Sequence, residues 1–169
     1  MNVSTKSAIS IEEYFRTSFE GLDCEYVDGE IVERTLPDNL HSETQWRLSG
    51  LIWDLSKKLP FHGRTELRSR VAATRVRIPD VSIYAGRNPT ERYPSEPPLV
   101  AVEILSQDDR HPEVMQKLKE YSDWGVPHIW LVDPERRTLH VYTEGTLSTV
   151  SPLAIPEFDV QLTGAEIFG

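Results

Sequence analysis

Three charged side chains stand where a folding chain has reason to avoid charge. Glu103 interrupts the run Leu99–Leu105, whose six other residues are aliphatic. A run of this kind reads as a strand buried on both faces, where a lone carboxylate is costly. Asp80 opens the alternating stretch "DVSIYA", and Lys117 lies on the helical segment that follows the Glu103 strand. If the two strands are neighbours in one sheet, the two carboxylates can face each other. Carboxylates this close raise each other's pKa unless a cation lies between them. Mg²⁺ binds through one or two carboxylates, keeps several waters and engages phosphates. It also makes a nucleophile of bound water, and a lysine aimed at the same spot offsets charge building on a scissile phosphate. The chemistry indicated is metal-assisted phosphodiester hydrolysis.

Each residue also has a plain structural explanation. Asp80 serves equally as a turn carboxylate accepting backbone hydrogen bonds. Glu103 serves as half of a buried ion pair with an arginine such as Arg68 or Arg75, and Lys117 as part of a solvated helix face.

The elements that must position these groups are legible in outline. Ser10 followed by Glu13 is a capping box, opening a helix expected to run to about Phe19. Asp28-Gly29 between alternating segments signals a two-residue hairpin, with strands expected at 24–27 and 30–34. Residues 39–58 predict one long helix, with Leu40, Trp46, Leu48, Leu51, Ile52 and Leu55 as its apolar stripe. Gly50 weakens that helix by about 1 kcal/mol unless close packing requires it. Two strands are expected within 64–84, and a proline-rich loop follows. The strand at 99–105, a helix from His111 to Trp124 and a strand at 127–132 predict a parallel crossover. Asp108 and Asp109 are expected to cap that helix. Trp124 and Trp130 are expected in the core.

At 169 residues, one α/β (α+β) domain over 1–169 is expected. The single cysteine, Cys24, excludes an intrachain disulfide and fits a reducing compartment. "MNVSTKSAIS" lacks a signal-like apolar stretch, and no apolar run approaches the ~18 residues of a membrane span. A cytoplasmic protein without membrane partners is therefore expected. The net charge of −9 disfavours a general nucleic-acid binder. Charge is uneven, however: Arg64, Arg68, Arg70, Arg75 and Arg77 stand against the single acid Glu66 in residues 64–77. The alternating pairs Arg68/Arg70 and Arg75/Arg77 suit phosphate contact, or equally a solvated sheet face.

The segments "CEYVDGEIVER", "RIPDVSIYAG", "LVAVEILSQDD", "KLKEYSDWGVPHIWLVDP" and "EIFG" resemble the Uma family of restriction endonucleases, a branch of the PD-(D/E)xK nuclease superfamily. The resemblance runs from about residue 9 to 168. It implies a restriction-endonuclease-like core, a mixed β-sheet flanked by helices, and a DNA-cleaving enzyme that uses Mg²⁺ or Mn²⁺. By position, the two acids are Asp80 and Glu103, and the backbone carbonyl of Ile104 completes the metal set. Leu105 stands where the superfamily has its lysine, so that role passes to Lys117 on the following helix, four residues before Tyr121. Lys119 is its rival, about 200° further round the helix, and only one of the two can point inward. Glu25 and His41 match the family's early glutamate and helix-start histidine. By themselves, these two read equally as a hairpin charge pair and a helix-start residue. The resemblance also implies a homodimer. A catalytically inactive binding or interaction module on the same fold is the alternative. A metal-free carboxylate-pair hydrolase is disfavoured because no sugar-binding aromatic cluster is evident.

Overall fold

The computed structural model describes residues 8–169. The first seven residues of the expected domain, and most of the "MNVSTKSAIS" segment, lie outside the described residues.

Helix α1 (Ile11–Arg16) starts where the Ser10 hydroxyl accepts the Glu13 N–H, and it buries Ile11 and Tyr14. It is shorter than expected: Thr17 turns to an extended conformation, and Phe19 packs from the loop beyond. Strands β1 (Glu25–Val27) and β2 (Glu30–Val32) are joined by Asp28 at φ 51° and Gly29 at φ 96°. Two consecutive positive φ values are what a tight hairpin turn of this hand requires.

Helix α2 (Asn39–Ser56) begins at Asp38, whose carboxylate accepts the His41 N–H at 2.8 Å. Its buried face carries His41, Thr44, Leu48 and Ile52, with Leu51 and Leu55 half-buried. Leu40 and Trp46, expected in the apolar stripe, are exposed instead. The inward face begins with polar residues because the helix N-terminus points at a polar site.

The block expected to hold two strands holds four: β3 (Phe61–Thr65), β4 (Ser69–Ala72), β5 (Arg75–Arg77) and β6 (Val81–Ala85). Glu66 at φ 50° follows β3, a two-residue turn separates β4 from β5, and Pro79 separates β5 from β6. Strand β7 (Val100–Ile104), helix α3 (His111–Trp124) and strand β8 (His128–Asp133) form the parallel crossover. Gly125, at φ 101°, ends α3 in the left-handed conformation. Strands β9 (Thr138–Thr143), β10 (Thr146–Val150), β11 (Leu153–Ile155) and β12 (Val160–Leu162) and helix α4 (Gly164–Phe168) complete the chain.

A six-stranded mixed sheet runs in the order β10-β9-β8-β7-β6-β3, and a four-stranded sheet in the order β2-β1-β5-β4. Along β7, Val100, Val102 and Ile104 point into the core that Leu48, Ile52 and Ile167 cover from α2 and α4. Ala101 points the other way, against Val114, Leu118 and Tyr121 of α3. Strand alternation puts Glu103 on the same side as Ala101, so the odd acid of the buried strand looks at α3. Trp130 is fully buried and Trp124 is half-buried against the α3 cluster.

Candidate active site

Strands β6 and β7 pair antiparallel, with Val81 opposite Val102. One step further in this register, Asp80 lies opposite Glu103 at the sheet's end. The Asp80 Oδ2 atom accepts the Ile104 N–H at 2.7 Å, so both acids belong to one strand terminus. From α3, Lys117 Nζ donates to Glu103 Oε2 at 3.1 Å, and the Tyr121 hydroxyl donates to Glu103 Oε1. Lys117 and Tyr121 are one helical turn apart and therefore reach the same target. Lys119 points outward, to Asp123.

Glu25 approaches from the smaller sheet. Tyr26 pairs with Val76, so Glu25 lies opposite Arg77 on β5. Arg77 Nη1 donates to Glu25 Oε2 at 2.8 Å, and the Ile78 N–H to Oε1 at 3.0 Å. Lys117 Nζ also lies 3.1 Å from Glu25 Oε1, bridging the two glutamates. His41 Nε2 lies 3.3 Å from Asp80 Oδ2, and Arg34 Nη2 donates to Asp80 Oδ1 at 3.2 Å. Gln45 donates to the Asp80 carbonyl. Glu25, Arg34, His41, Asp80, Glu103 and Lys117 all line one cavity of about 410 Å³, to which Ile104 contributes as well.

Burial pushes the Glu103 carboxyl up to about 7; Lys117 pulls it down, while the Asp80 and Glu25 charges add to the rise. Asp80 goes the other way. Burial would raise it, but the His41 contact, the Lys117 charge and the Ile104 N–H outweigh that and hold it below the ordinary aspartate value. Glu25 is likewise held low by Lys117, Arg77 and Ile78 against the effect of burial. Burial alone would lower Lys117, but Glu103, Glu25 and Asp80 hold its ammonium above the ordinary lysine value. His41 is raised because Asp80, with Asp109 and Glu103 behind it, outweighs burial.

The arginines expected along a nucleic-acid face are not brought together at the site. Arg68 is buried, with Nε 2.6 Å from Asp23 Oδ2, and its guanidinium lies over the Tyr14 ring. Arg77 is also buried, clamped between Glu25 and Glu120. Arg75 joins Glu120 to Asp28. Arg70 donates to the Ala73 carbonyl near the surface. Three of these four therefore hold the fold's own acids. Neither Asp108 nor Asp109 caps α3: the Asp109 carboxylate accepts the Ser106 N–H at 2.7 Å, and the N-cap residue is Arg110, with no side-chain cap.

The residues of the expected site are joined by Arg34, Tyr121 and Glu120. Arg34 had a signal, as the one cation in a segment that holds Asp23, Glu25, Asp28, Glu30 and Glu33. Tyr121 carries no signal of its own in the sequence, and its hydroxyl acquires a role only because Glu103 faces α3.

A family model described as "Uma2: Putative restriction endonuclease" matches residues 11–169. The chain belongs to the Uma2 family. A comparison with curated proteins found no match. Among solved structures, this Uma2 chain is similar to one described as "a putative nuclease belonging to DUF820 from Anabaena variabilis ATCC 29413". The TM-score is 0.82 at 22% identity, over 95% of this chain and 97% of that one. At this identity the likeness establishes a shared fold, the mixed sheet flanked by helices. Among the described residues of the Uma2 chain, no helix is long and apolar enough to cross a membrane.

Proposed function

We propose that this Uma2 chain is a divalent-metal-dependent endonuclease that hydrolyses DNA phosphodiester bonds in the cavity bounded by Asp80, Glu103 and Lys117. The observation that supports this most is the convergence of those three groups, from β6, β7 and α3, at one sheet end.

The donor chemistry fits Mg²⁺ or Mn²⁺. Asp80, Glu103 and the Ile104 carbonyl would hold the ion, and all three offer hard oxygen. Burial, with the Asp80 and Glu25 charges adding to it, raises the Glu103 carboxyl, and a cation bound beside it would relieve that rise. Among the described residues no three acidic, histidine or cysteine side chains are gathered as a ready-made metal cage. Mg²⁺ takes only one or two carboxylates and keeps several waters. A divalent cation supplies Lewis acidity toward water and phosphate.

The chain's own residues do the rest. Lys117, held charged, acts as a cation that offsets negative charge on the scissile phosphate, not as a proton acceptor. Glu25 fixes the Lys117 ammonium from one side while Glu103 holds it from the other. His41 and Arg34 fix Asp80, and Tyr121 fixes Glu103. Arg70 is the member of the expected arginine set with its guanidinium near the surface, suited to touch the DNA backbone.

The test is cleavage of supercoiled plasmid with Mg²⁺ or Mn²⁺ against EDTA, for the native chain, Asp80→Ala and Glu103→Ala. The native chain should nick DNA, and each variant should be slower by about 100-fold or more, the order of a lost electrostatic stabiliser. Equal inertness of all three toward plasmid would overturn the reading.

A second reading, an inactive binding module, rests on one observation. Every carboxylate oxygen of Glu25, Asp80 and Glu103 already has a partner within the chain. DNA binding without cleavage, unchanged in both variants, would favour it.

A further inference from the structure

Two tryptophans stand out on the solvent side of α2. Trp46 is 75% exposed and Trp53 67% exposed. They are seven residues apart, hence on one face about two turns from each other. Gly50 lies between them on the same face. Glycine is unfavourable inside a helix, and nothing among the described residues accounts for it: a Cβ built on Gly50 would meet no atom of theirs within 4 Å. A missing side chain between two exposed indoles is explained by something that approaches the helix closely from outside.

The charges on this face identify what approaches. In chain order it carries Glu43, Arg47, Asp54 and Lys57, with Gly50 at the centre. Glu43 and Lys57 each lie seven residues from Gly50, or about 10.5 Å along the axis. Arg47 and Trp53 each lie three residues from Gly50, and Trp46 and Asp54 four. A second α2 laid antiparallel across the first at Gly50 therefore sets Glu43 against Lys57 twice and brings Arg47 near Trp53 and Asp54. It also places the indoles of Trp46 and Trp53 side by side over the gap left by glycine. The stripe is electrically neutral on a chain of net charge −9, so like-charge repulsion does not oppose the contact there. The existing bonds, Arg47 to Glu43 at 3.0 Å and Lys57 to Asp54 at 2.6 Å, would each extend into a four-membered ladder.

We infer that the exposed face of α2, centred on Gly50, is a two-fold docking surface for a second copy of this chain. A surface that matches itself under a two-fold rotation is what an isologous dimer requires. Four tryptophans bring on the order of 600 Å² of aromatic surface or more to the contact. That is about half the lower limit for a stable interface, and the stems of the flanking charged residues extend it. The inference is independent of the nuclease reading, since a monomeric nuclease and a dimeric non-nuclease are distinct results.

The experiment is sedimentation equilibrium of the full chain at roughly 100 µM, a concentration suited to an interface of modest area. The native chain should sediment at twice its 19.3 kDa mass. Trp46→Ala/Trp53→Ala should sediment as monomer, with a circular dichroism melt reporting that it is folded. Lys57→Glu should weaken dimerisation about tenfold, and Glu43→Lys/Lys57→Glu should restore it to within a few-fold. The double reversal keeps the inference falsifiable even if the tryptophan variant misfolds. A monomeric native chain, a dimer indifferent to Lys57→Glu, or no recovery in the double reversal would overturn it.

Discussion

Lys117 Nζ lies 3.1 Å from Glu103 Oε2, a bond that ties helix α3 to the end of strand β7 at the centre of the sheet. The same ammonium is equally close to Glu25. One cation thus serves two buried acids, and its removal leaves Glu103 without an ion-pair partner and Glu25 with Arg77 alone.

Lys117→Met should therefore destabilise the fold by about 3–5 kcal/mol, the usual cost of breaking a buried pair from one side. Urea unfolding monitored by circular dichroism measures it. Lys119→Met, whose partner Asp123 is on the surface, should cost less than about 1 kcal/mol. Equal effects of the two would contradict the inward placement of Lys117.

Glu103 and Glu120 should give stability of opposite sign with pH. Glu103 has its folded pKa raised to about 7. Its contribution is full below the unfolded glutamate value and lost as pH rises toward 7. Burial would raise Glu120 too, but bonds from Arg77 and Gln116 and the charges of Arg77 and Arg75 outweigh it and hold its carboxyl low. Its contribution is present above the unfolded value and lost as pH falls through the folded one. In urea titrations from pH 3 to 8, Glu103→Gln should flatten the alkaline side of the curve. Glu120→Gln should flatten the acid side.

Arg68→Ala and Arg70→Ala should separate structure from surface. Arg68 is buried on Asp23, so its loss should cost about 3 kcal/mol or more of folding stability. Arg70→Ala should leave stability within about 0.5 kcal/mol. If DNA is bound, the same change should lower the slope of log affinity against log salt by about 1.

Mg²⁺ should raise the unfolding midpoint of the native chain by ligand linkage, worth about 2.7 kcal/mol at a hundred times its dissociation constant. Asp80→Asn should abolish the rise, and EDTA should reverse it. A thermal shift in Asp80→Asn equal to that of the native chain would exclude Asp80 as a ligand.

The features legible in the sequence are those with a local signature. The interruption of an aliphatic run marks Glu103, and the Asp28-Gly29 turn sets the hairpin that carries Glu25. The helical net separates Lys117 from Lys119, because the neighbours Val114, Leu118 and Tyr121 show which side faces the sheet. What stayed hidden depends on partners far along the chain. Arg68 meets Asp23 across 45 residues, and Arg77 meets Glu120 across 43. No local pattern distinguishes such clamps from a solvated basic strand. Trp46 misled for a related reason: counting apolar residues on α2 does not reveal that its inward face begins with His41 and Thr44. The two strands expected within 64–84 prove to be four between 61 and 85, because two of the turns use Glu66 and a pair of ordinary residues, without a glycine.

The hairpin, α2, the β6–β7 pair and α3 each carry part of the cavity, and Lys117 comes last in chain order. A chain emerging from the ribosome holds Glu25 and Glu103 before the helix whose Lys117 bridges them exists. Until α3 docks, these acids face water, and no partial version of the lysine-bridged cluster is available to a fragment that ends before it. The lysine-bridged cluster is therefore complete only when the crossover has closed.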